Sequence, residues 1–183
     1  MDLFLITTKL KNHFPVVREQ VEPHPERAAV LVILYQKQNQ TYVLMTKRAF
    51  HLKIHAGEIA FPGGVVELED DDLLCTAVRE TQEEIGVEVE PSRVMGCLTK
   101  VKTRTGIEIT PFVAALTSPP KINPSDDEVY EVLEMPLAPL LSTQQRDIGF
   151  KASEEMVLYW YKHHRIWGAS AKILQQIENL NFI

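Results

Sequence analysis

Hydrophobic residues near the start of the chain form a continuous run that is typical of a buried strand. Residues 28–35 (AAVLVILY) carry no charged or amide side chain, which is the composition of a strand covered on both faces. The polar residues 36–40 follow as a turn, and residues 41–47 return as a second strand. A further short strand is predicted over residues 58–61. The pattern therefore predicts a sheet with a buried central strand.

Two helices are predicted from apolar residues that recur every three or four positions. The first lies within residues 1–20, where Pro15 ends or kinks it, and residues 21–27 continue as an extended connector. Its polar face is not strongly basic, so we expect it to pack on the domain or on a second subunit rather than on a membrane. The second lies in the latter half of residues 63–87 and stops at Gly86. The apolar positions are Leu3, Ile6, Leu10, Phe14 and Val17 in the first helix, and Leu74, Ala77, Val78, Thr81 and Ile85 in the second.

The remainder of the chain alternates strands with helices. A Pro, Ser and Asp-rich loop interrupts it at residues 117–127. Interleaved helices and hairpins favour the α/β class, as an α/β/α sandwich with a mixed sheet in a single domain over residues 1–183. The predicted elements are a hairpin of residues 96–101 and 106–116, a strand at 128–134, a short helix up to residue 141, a strand at 156–162 and a helix at 169–180.

Composition limits the possible functions. The chain has 183 residues, of which 45% are hydrophobic, and this suits one soluble domain with a substantial core. A net charge of -6 argues against a nucleic-acid partner, although metal ions could still allow a phosphorylated small molecule to bind. Cys75 and Cys97 suggest neither a disulfide framework nor a zinc site. Without a membrane-length apolar run or a signal-peptide pattern, we expect a cytoplasmic location.

Three carboxylates on one side of the second helix point to chemistry. Glu80, Glu83 and Glu84 lie three and four positions apart, and such like charges repel one another. A divalent cation would relieve the repulsion, since Mg²⁺ takes oxygen ligands from carboxylates, water and substrate phosphates. A solvated acidic face is the simpler interpretation of these residues alone. Their context changes it, because glycines precede the helix and Arg79 adjoins Glu80.

In this order the residues resemble the signature of the Nudix hydrolases. That signature is Gly, then an acidic residue, then REUXEEXGU, where U is aliphatic. Here Gly64 lies fifteen positions before Arg79 instead of fourteen, and Thr81 stands at an aliphatic position. The extra loop residue leaves the upstream acid open. It could be Glu67, Asp70, Asp71 or Asp72. The resemblance implies the Nudix fold, which is the same α/β/α sandwich.

A second resemblance lies directly upstream, in the segment VLMTKRAFHLKIHAGEIAFPGG of residues 43–64. It is similar to the signature of the Nudix subgroup that cleaves coenzyme A: LLTXR, Ser or Ala, three residues, Arg, three residues, Gly, three residues, FPGG. Met45 replaces a leucine, and Lys53 replaces the arginine, which keeps the charge but loses the bidentate fork. The longer loop and the later IWGASAKIL also resemble this subgroup. The likeness spans roughly residues 28–178 and leaves residues 1–25 outside it.

The resemblance implies hydrolysis of the diphosphate of coenzyme A to 4'-phosphopantetheine and adenosine 3',5'-bisphosphate, with Mg²⁺ or Mn²⁺ as cofactor. Acidic residues would bind the metal and activate water, and basic residues would bind phosphates. Arg79 is expected to pair with a loop carboxylate or with Glu83. The general base is either in the helix itself or at Glu128. The implied metal ligands are Glu80, Glu84, Glu83 and the Gly64 carbonyl, the catalytic residues are Glu83, Glu84, Arg79 and Glu128, and the substrate-binding residues are Arg48, Lys53, Gly63 and Arg104, the last at the adenosine 3'-phosphate.

Two other functions remain open at this point. The chain could be a Nudix hydrolase of another nucleoside diphosphate derivative, because motifs in one fold predict substrate imperfectly. It could also be a Nudix module that binds a nucleotide without cleaving it. Retention of all three helix glutamates favours an enzyme. A small-molecule substrate is the expected partner, and a homodimer is possible.

Overall fold

A computed structural model of the chain describes residues 2–20, 22–149 and 156–182. Position 1 and position 21 of the predicted N-terminal segments lie outside this part. Strands alternate with helices along the described chain. The strands are β1 (Arg27–Lys37), β2 (Gln40–Arg48), β3 (Ile59–Ala60), β4 (Gly63–Val65), β5 (Val94–Cys97), β6 (Val101–Lys102), β7 (Glu108–Leu116), β8 (Val129–Pro136), β9 (Gln145–Arg146), β10 (Val157–Tyr161) and β11 (His164–Ile166), and the helices are α1 (Leu3–His13), α2 (Leu73–Ile85), α3 (Leu137–Leu141) and α4 (Gly168–Asn179).

Strand β1 lies at the centre of a mixed sheet. It pairs antiparallel with β2 along one edge and parallel with β7 along the other. The start of β1 also pairs antiparallel with β4, where Ala29 faces Gly64. Strand β2 pairs with β8 along its other edge, and beyond its pairing with β1 it pairs with β3. The end of β2, the start of β1 and the glycine pair of β4 therefore meet at one end of the sheet.

Alternate residues of β1 enter two different cores. Val30, Val32 and Leu34 belong to the cluster that includes residues of α1, α3 and α4. Leu31 and Ile33 belong to the cluster that includes residues of α2. Both faces of the strand are buried, which explains why its sequence is apolar at successive positions. The predicted α/β/α sandwich with a mixed sheet is confirmed.

Helix α1 packs on its own domain. Asp2 caps its N-terminus by accepting hydrogen bonds from the amides of Phe4 and Leu5. Leu10 is fully buried against the sheet core. The predicted apolar stripe is wrong at its last position, because the helix ends at His13, before Pro15, and Val17 is 59% exposed. None of the helices in the described part of the chain is long and apolar enough to span a membrane.

Of the shortest strands, β3 lies within the strand predicted at residues 58–61, whereas β4, β9 and β11 were not predicted. Strand β4 contains the glycine pair, and β9 and β11 have two and three residues. The strand predicted at residues 96–101 is divided, because β5 begins earlier at Val94 and ends at Cys97. Such short elements depend on pairing with distant partners rather than on local periodicity. Pairing with β1 fixes β4 beside the acidic helix.

Candidate active site

Helix α2 is held firmly at both ends. The Asp72 carboxylate accepts a hydrogen bond of 2.9 Å from the Cys75 amide at its N-terminus. Gly86 ends the helix in the left-handed conformation (φ 66°), where a side chain would strike Asn123. One face of the helix is buried in the core, including Ala77 and Thr81. The opposite face presents its glutamates to the end of the sheet.

Glu84 is the most unusual of these glutamates, because it is only 3% exposed. The Nη1 atom of Arg48 lies 3.6 Å from its Oε1, while its Oε2 and the Nε of Arg48 are buried without a hydrogen-bond partner. Burial, together with the charges of Glu80 and Glu128, raises the pKa of Glu84 to about 8, against the opposing effects of Arg48 and the Gly63 amide. A solvated acidic face is therefore the wrong description of this helix side.

Glu80 lies against the glycine pair. Its carboxylate occupies the space that a Cβ at Gly64 would need, so a side chain there would displace the carboxylate. Burial raises the pKa of Glu80, Arg79 opposes this effect, and the charges of Glu83 and Glu128 add to it. The carboxylates of Glu80, Glu84 and Glu128 are thus close enough to influence one another. Together they concentrate negative charge beside Arg48.

Arg79 binds the loop before the helix. Its Nε and Nη2 donate to the two oxygens of Asp70, each at 2.9 Å, and its Nη1 donates to Glu80 and Glu83 at 3.1 and 2.9 Å. The predicted pairing of Arg79 with a loop carboxylate and with Glu83 is confirmed. Asp70 also accepts hydrogen bonds from Thr76 and from the Glu67 amide. Although burial acts in the other direction, these hydrogen bonds hold the pKa of Asp70 below its usual value.

These contacts identify the acidic residue that the sequence left open. Asp70, which is 9% exposed, forms the bidentate pair with Arg79. Asp72 caps α2 and pairs with Arg18 at 2.6 Å, whereas Asp71 is exposed. Glu67 reaches Arg79 only at 3.9 Å. Asp70 was one of the four candidates from the sequence, whereas Thr76, which also donates to it, was not singled out.

The donor set fits a divalent cation held mainly by two residues. Among the residues that the structure describes, no three His, Cys, Asp or Glu side chains converge closely enough to enclose a metal ion. Glu83 is turned toward Arg79, with its side chain 58% exposed. Glu84 nevertheless has an unpartnered buried oxygen next to Glu80. One or two carboxylates, with substrate phosphates and water, are the usual protein ligands of Mg²⁺.

The other predicted residues lie at different distances from this centre. Gly63 adopts a φ of 153°, packs its backbone on β1 and points its amide toward Glu84. Glu128 precedes β8, and its carbonyl accepts a hydrogen bond of 2.9 Å from Ala49. Lys53 is exposed in the loop after β2, and Arg104 is exposed in the turn before β7. The structure therefore brings Arg48, Gly63 and Glu128 to the helix, whereas Lys53 and Arg104 lie on surface loops.

Comparison with known proteins agrees with this geometry. The sequence profile of the NUDIX domain family matches residues 25–157. The chain belongs to the Nudix family. The protein is 37% identical over 174 residues to uncharacterized Nudix hydrolase NudL of Salmonella heidelberg (strain SL476), and the match covers 91% of this chain and 90% of that protein. The predicted membership in the superfamily is thus confirmed. Nudix hydrolases generally use divalent metal ions such as Mg²⁺ or Mn²⁺.

Solved structures share the Nudix fold of this protein. A MutT/nudix family protein from Enterococcus faecalis has a TM-score of 0.61 at 17% identity, covering 90% of this chain and 64% of that one. The Nudix domain of Shewanella oneidensis NrtR, solved as a complex with ADP ribose, has a TM-score of 0.52 at 21% identity, covering 64% and 77%. At these identities the likeness establishes the fold alone.

Proposed function

We propose that this Nudix protein hydrolyses the diphosphate bond of coenzyme A or its derivatives, with Mg²⁺ or Mn²⁺, to 4'-phosphopantetheine and adenosine 3',5'-bisphosphate. The observation that supports hydrolysis most directly is the buried Glu84 carboxylate, whose Oε2 has no partner although Glu80 and Glu128 are nearby. A buried carboxylate oxygen without a hydrogen bond is costly unless a ligand completes it. A divalent cation is the ligand that its neighbours favour.

Each residue then has a defined task. A bound cation would supply positive charge to the diphosphate oxygens and acidity to the attacking water. Glu84 and Glu80 would hold the cation, with the Gly64 carbonyl as a further donor, and Glu83 orients Arg79. Arg48, whose Nε is unpartnered, binds a diphosphate oxygen. Glu128 accepts a proton from the water while the water oxygen attacks one phosphorus atom. The bond from that phosphorus to the bridging oxygen then breaks, and the other phosphate leaves with the bridging oxygen.

The coenzyme A assignment is supported by the way the second signature folds. Its two ends, Arg48 and the glycine pair, contact the glutamates of α2, whereas the loop between them is exposed. Arg48 ends β2 beside Glu84, and the Gly57 amide donates to the Arg48 carbonyl at 3.1 Å. Phe61 is buried, and Pro62 accepts a hydrogen bond from Leu31 of the central strand. The loop between Arg48 and Gly57 carries Lys53, which we assign to phosphate binding together with Arg104.

Purified protein should be incubated with coenzyme A and, separately, with ADP-ribose, which the Nudix domain of NrtR binds. Each incubation is run with Mg²⁺, with Mn²⁺ and with a chelator. We expect adenosine 3',5'-bisphosphate from coenzyme A only when metal is present. Glu84→Gln should lose turnover while keeping a wild-type circular dichroism spectrum, since it removes the charge that binds the cation.

Other outcomes would change the proposal. Metal-dependent cleavage of ADP-ribose but not of coenzyme A would keep the diphosphate chemistry and replace the substrate. Binding without cleavage of any diphosphate would favour the non-catalytic module. Full activity of Glu84→Gln would contradict its assignment as a metal ligand. The expected cytoplasmic location and homodimer remain predictions, which cell fractionation and light scattering can check.

A further inference from the structure

Two exposed aromatic rings lie on the segments that follow Arg48 and Glu128. Phe50 and Tyr130 meet edge to face, with ring centroids 4.8 Å apart and an interplanar angle of 73°. They are 59% and 62% exposed, although aromatic side chains usually bury most of their surface. Phe50 rests on Gly57, where an added Cβ would lie 2.8 Å from its ring. The pair is therefore held in place while much of its surface faces solvent.

The chain places this aromatic pair next to the residues of the proposed site. Phe50 follows Arg48 by two positions, and Tyr130 follows Glu128 by two positions. Ala49 lies between Arg48 and Phe50, and its amide donates a hydrogen bond to the Glu128 carbonyl. This bond joins the two segments that carry the rings. Two residues of extended chain span at most about 7 Å. A substrate whose diphosphate contacts Arg48 could thus reach the rings with its next group.

A cation completes the cluster. The Nζ atom of Lys47 lies 5.0 Å from the centroid of Phe50 and 5.4 Å from that of Tyr130. Among the described residues its ammonium forms no ion pair within 4.0 Å, and Glu131, its cross-strand partner on β8, pairs with His164 at 3.6 Å. Its charge is therefore available to an anionic ligand. Exposed aromatic rings with an adjacent ammonium suit a planar base that carries a phosphate.

We propose that Phe50, Tyr130 and Lys47 form a subsite for the adenosine 3'-phosphate half of the substrate, with the base stacked on the rings and the 3'-phosphate paired with Lys47 rather than with Arg104, which the sequence resemblance implied for it. The inference rests on the proposed function and adds a specificity determinant to it. Phe50 and Tyr130 lie at positions that neither signature specifies. The pantetheine half has no planar base, and its single phosphate belongs to the diphosphate, so it matches the cluster less well.

Direct binding tests the subsite independently of catalysis. Titration calorimetry should measure adenosine 3',5'-bisphosphate, adenosine 5'-monophosphate and 4'-phosphopantetheine against the wild type and three variants: Phe50→Leu, Tyr130→Leu and Lys47→Met. Stacking of one base on an aromatic side chain is typically worth a factor of about ten or more in affinity. We expect each leucine variant to bind both adenosine nucleotides about tenfold more weakly and 4'-phosphopantetheine as well as the wild type does. Phe50→Trp should retain binding.

Lys47→Met isolates the phosphate contact. It should remove the preference for the bisphosphate over the monophosphate, and Lys47→Arg should restore it. Phe4→Leu is the matched control, because Phe4 is 74% exposed on α1, which packs mainly on β5. Wild-type nucleotide affinity in both Phe50→Leu and Tyr130→Leu would overturn the subsite even if coenzyme A is cleaved. Weakened nucleotide binding in them would support the subsite even if coenzyme A is not the substrate.

Discussion

At the residue scale, Glu84 combines burial with a negative environment that only a proton or a cation can relieve. The carboxyl keeps its proton in the folded, metal-free protein up to about pH 8, whereas the ordinary pKa of glutamate is 4.5. The folded state therefore binds more protons than the unfolded state across this interval. The sequence predicted Glu84 to be a ligand by its motif position. Its contact with Arg48, which ends strand β2, was not predicted.

The higher pKa of Glu84 in the folded state predicts how the stability of the protein depends on pH. In a chelating buffer, the free energy of unfolding should decrease as the pH rises from about 4.5 to 8, because the folded carboxyl resists deprotonation. Glu84→Gln should make the decrease shallower and raise stability most at high pH. Urea titrations at several pH values measure this directly. Glu83→Gln serves as the control, and an equal effect of both variants would contradict the assigned burial of Glu84.

Gly64 offers a second test at this scale. Gly64→Ala would place a Cβ in the space of the Glu80 carboxylate and displace it. A misplacement of about 1 Å near reacting groups can cost on the order of 100-fold in rate, so we expect a kcat reduced by about that factor. Gly149→Ala is the control, since its Cβ would meet only Asp147 at 3.6 Å. Unchanged kinetics for Gly64→Ala would remove Glu80 from the metal site.

At the element scale, the loop before α2 is fixed to the helix by Arg79 and Asp70. Periodicity alone predicted the helix and its buried stripe, because both are local properties of the sequence. The sequence left four candidates for the signature acid in that loop, and their distance along the chain from Arg79 did not distinguish them. The fold distinguishes Asp70, since only its carboxylate lies within hydrogen-bond distance of both Arg79 and Thr76. Strand β4 was missed for a related reason, as its pairing with β1 is not local.

Removal of the Asp70 carboxylate should weaken this attachment. Asp70→Ala leaves a half-buried arginine without its main partner, which typically costs about 3–5 kcal/mol for a buried pair. We expect a loss of stability of about 3 kcal/mol in chemical denaturation and a lower kcat. Asp71→Ala, at an exposed neighbouring position, should change neither. If Asp71→Ala were the more damaging variant, the structural assignment of the loop acid would be wrong.

At the scale of the whole molecule, α1 belongs to the sandwich although it lies outside the family resemblance. Leu10 is fully buried, and Gly96 of β5 allows the close approach of this helix, because a Cβ there would meet Phe14 and Leu10. The amide of Cys97 also donates to the Phe14 carbonyl at 3.0 Å. The sequence left open whether the helix packs on its own domain or on a second subunit. The contacts establish the first of these.

This packing predicts a stabilising role for α1. Leu10→Ala should lower the free energy of unfolding by about 2–5 kcal/mol, as expected for a buried leucine. Leu5→Ala, at a position that is 57% exposed, should have little effect. Urea denaturation at two protein concentrations measures both variants. Wild-type stability of Leu10→Ala would contradict the intramolecular packing of the helix.

The sequence by itself determined the two-sided burial of β1, the existence of α2 and the set of charged residues that resembles the Nudix signatures. These features follow from local periodicity and from residue order. Only the tertiary structure decided that Glu84 is buried under Arg48, that Asp70 holds Arg79, and that Phe50 meets Tyr130. Two of these contacts join segments that are distant in the sequence. In the third, Asp70 was one of four candidate acids that spacing did not distinguish. Their distances are set by strand pairing and core packing, which spacing along the chain does not specify.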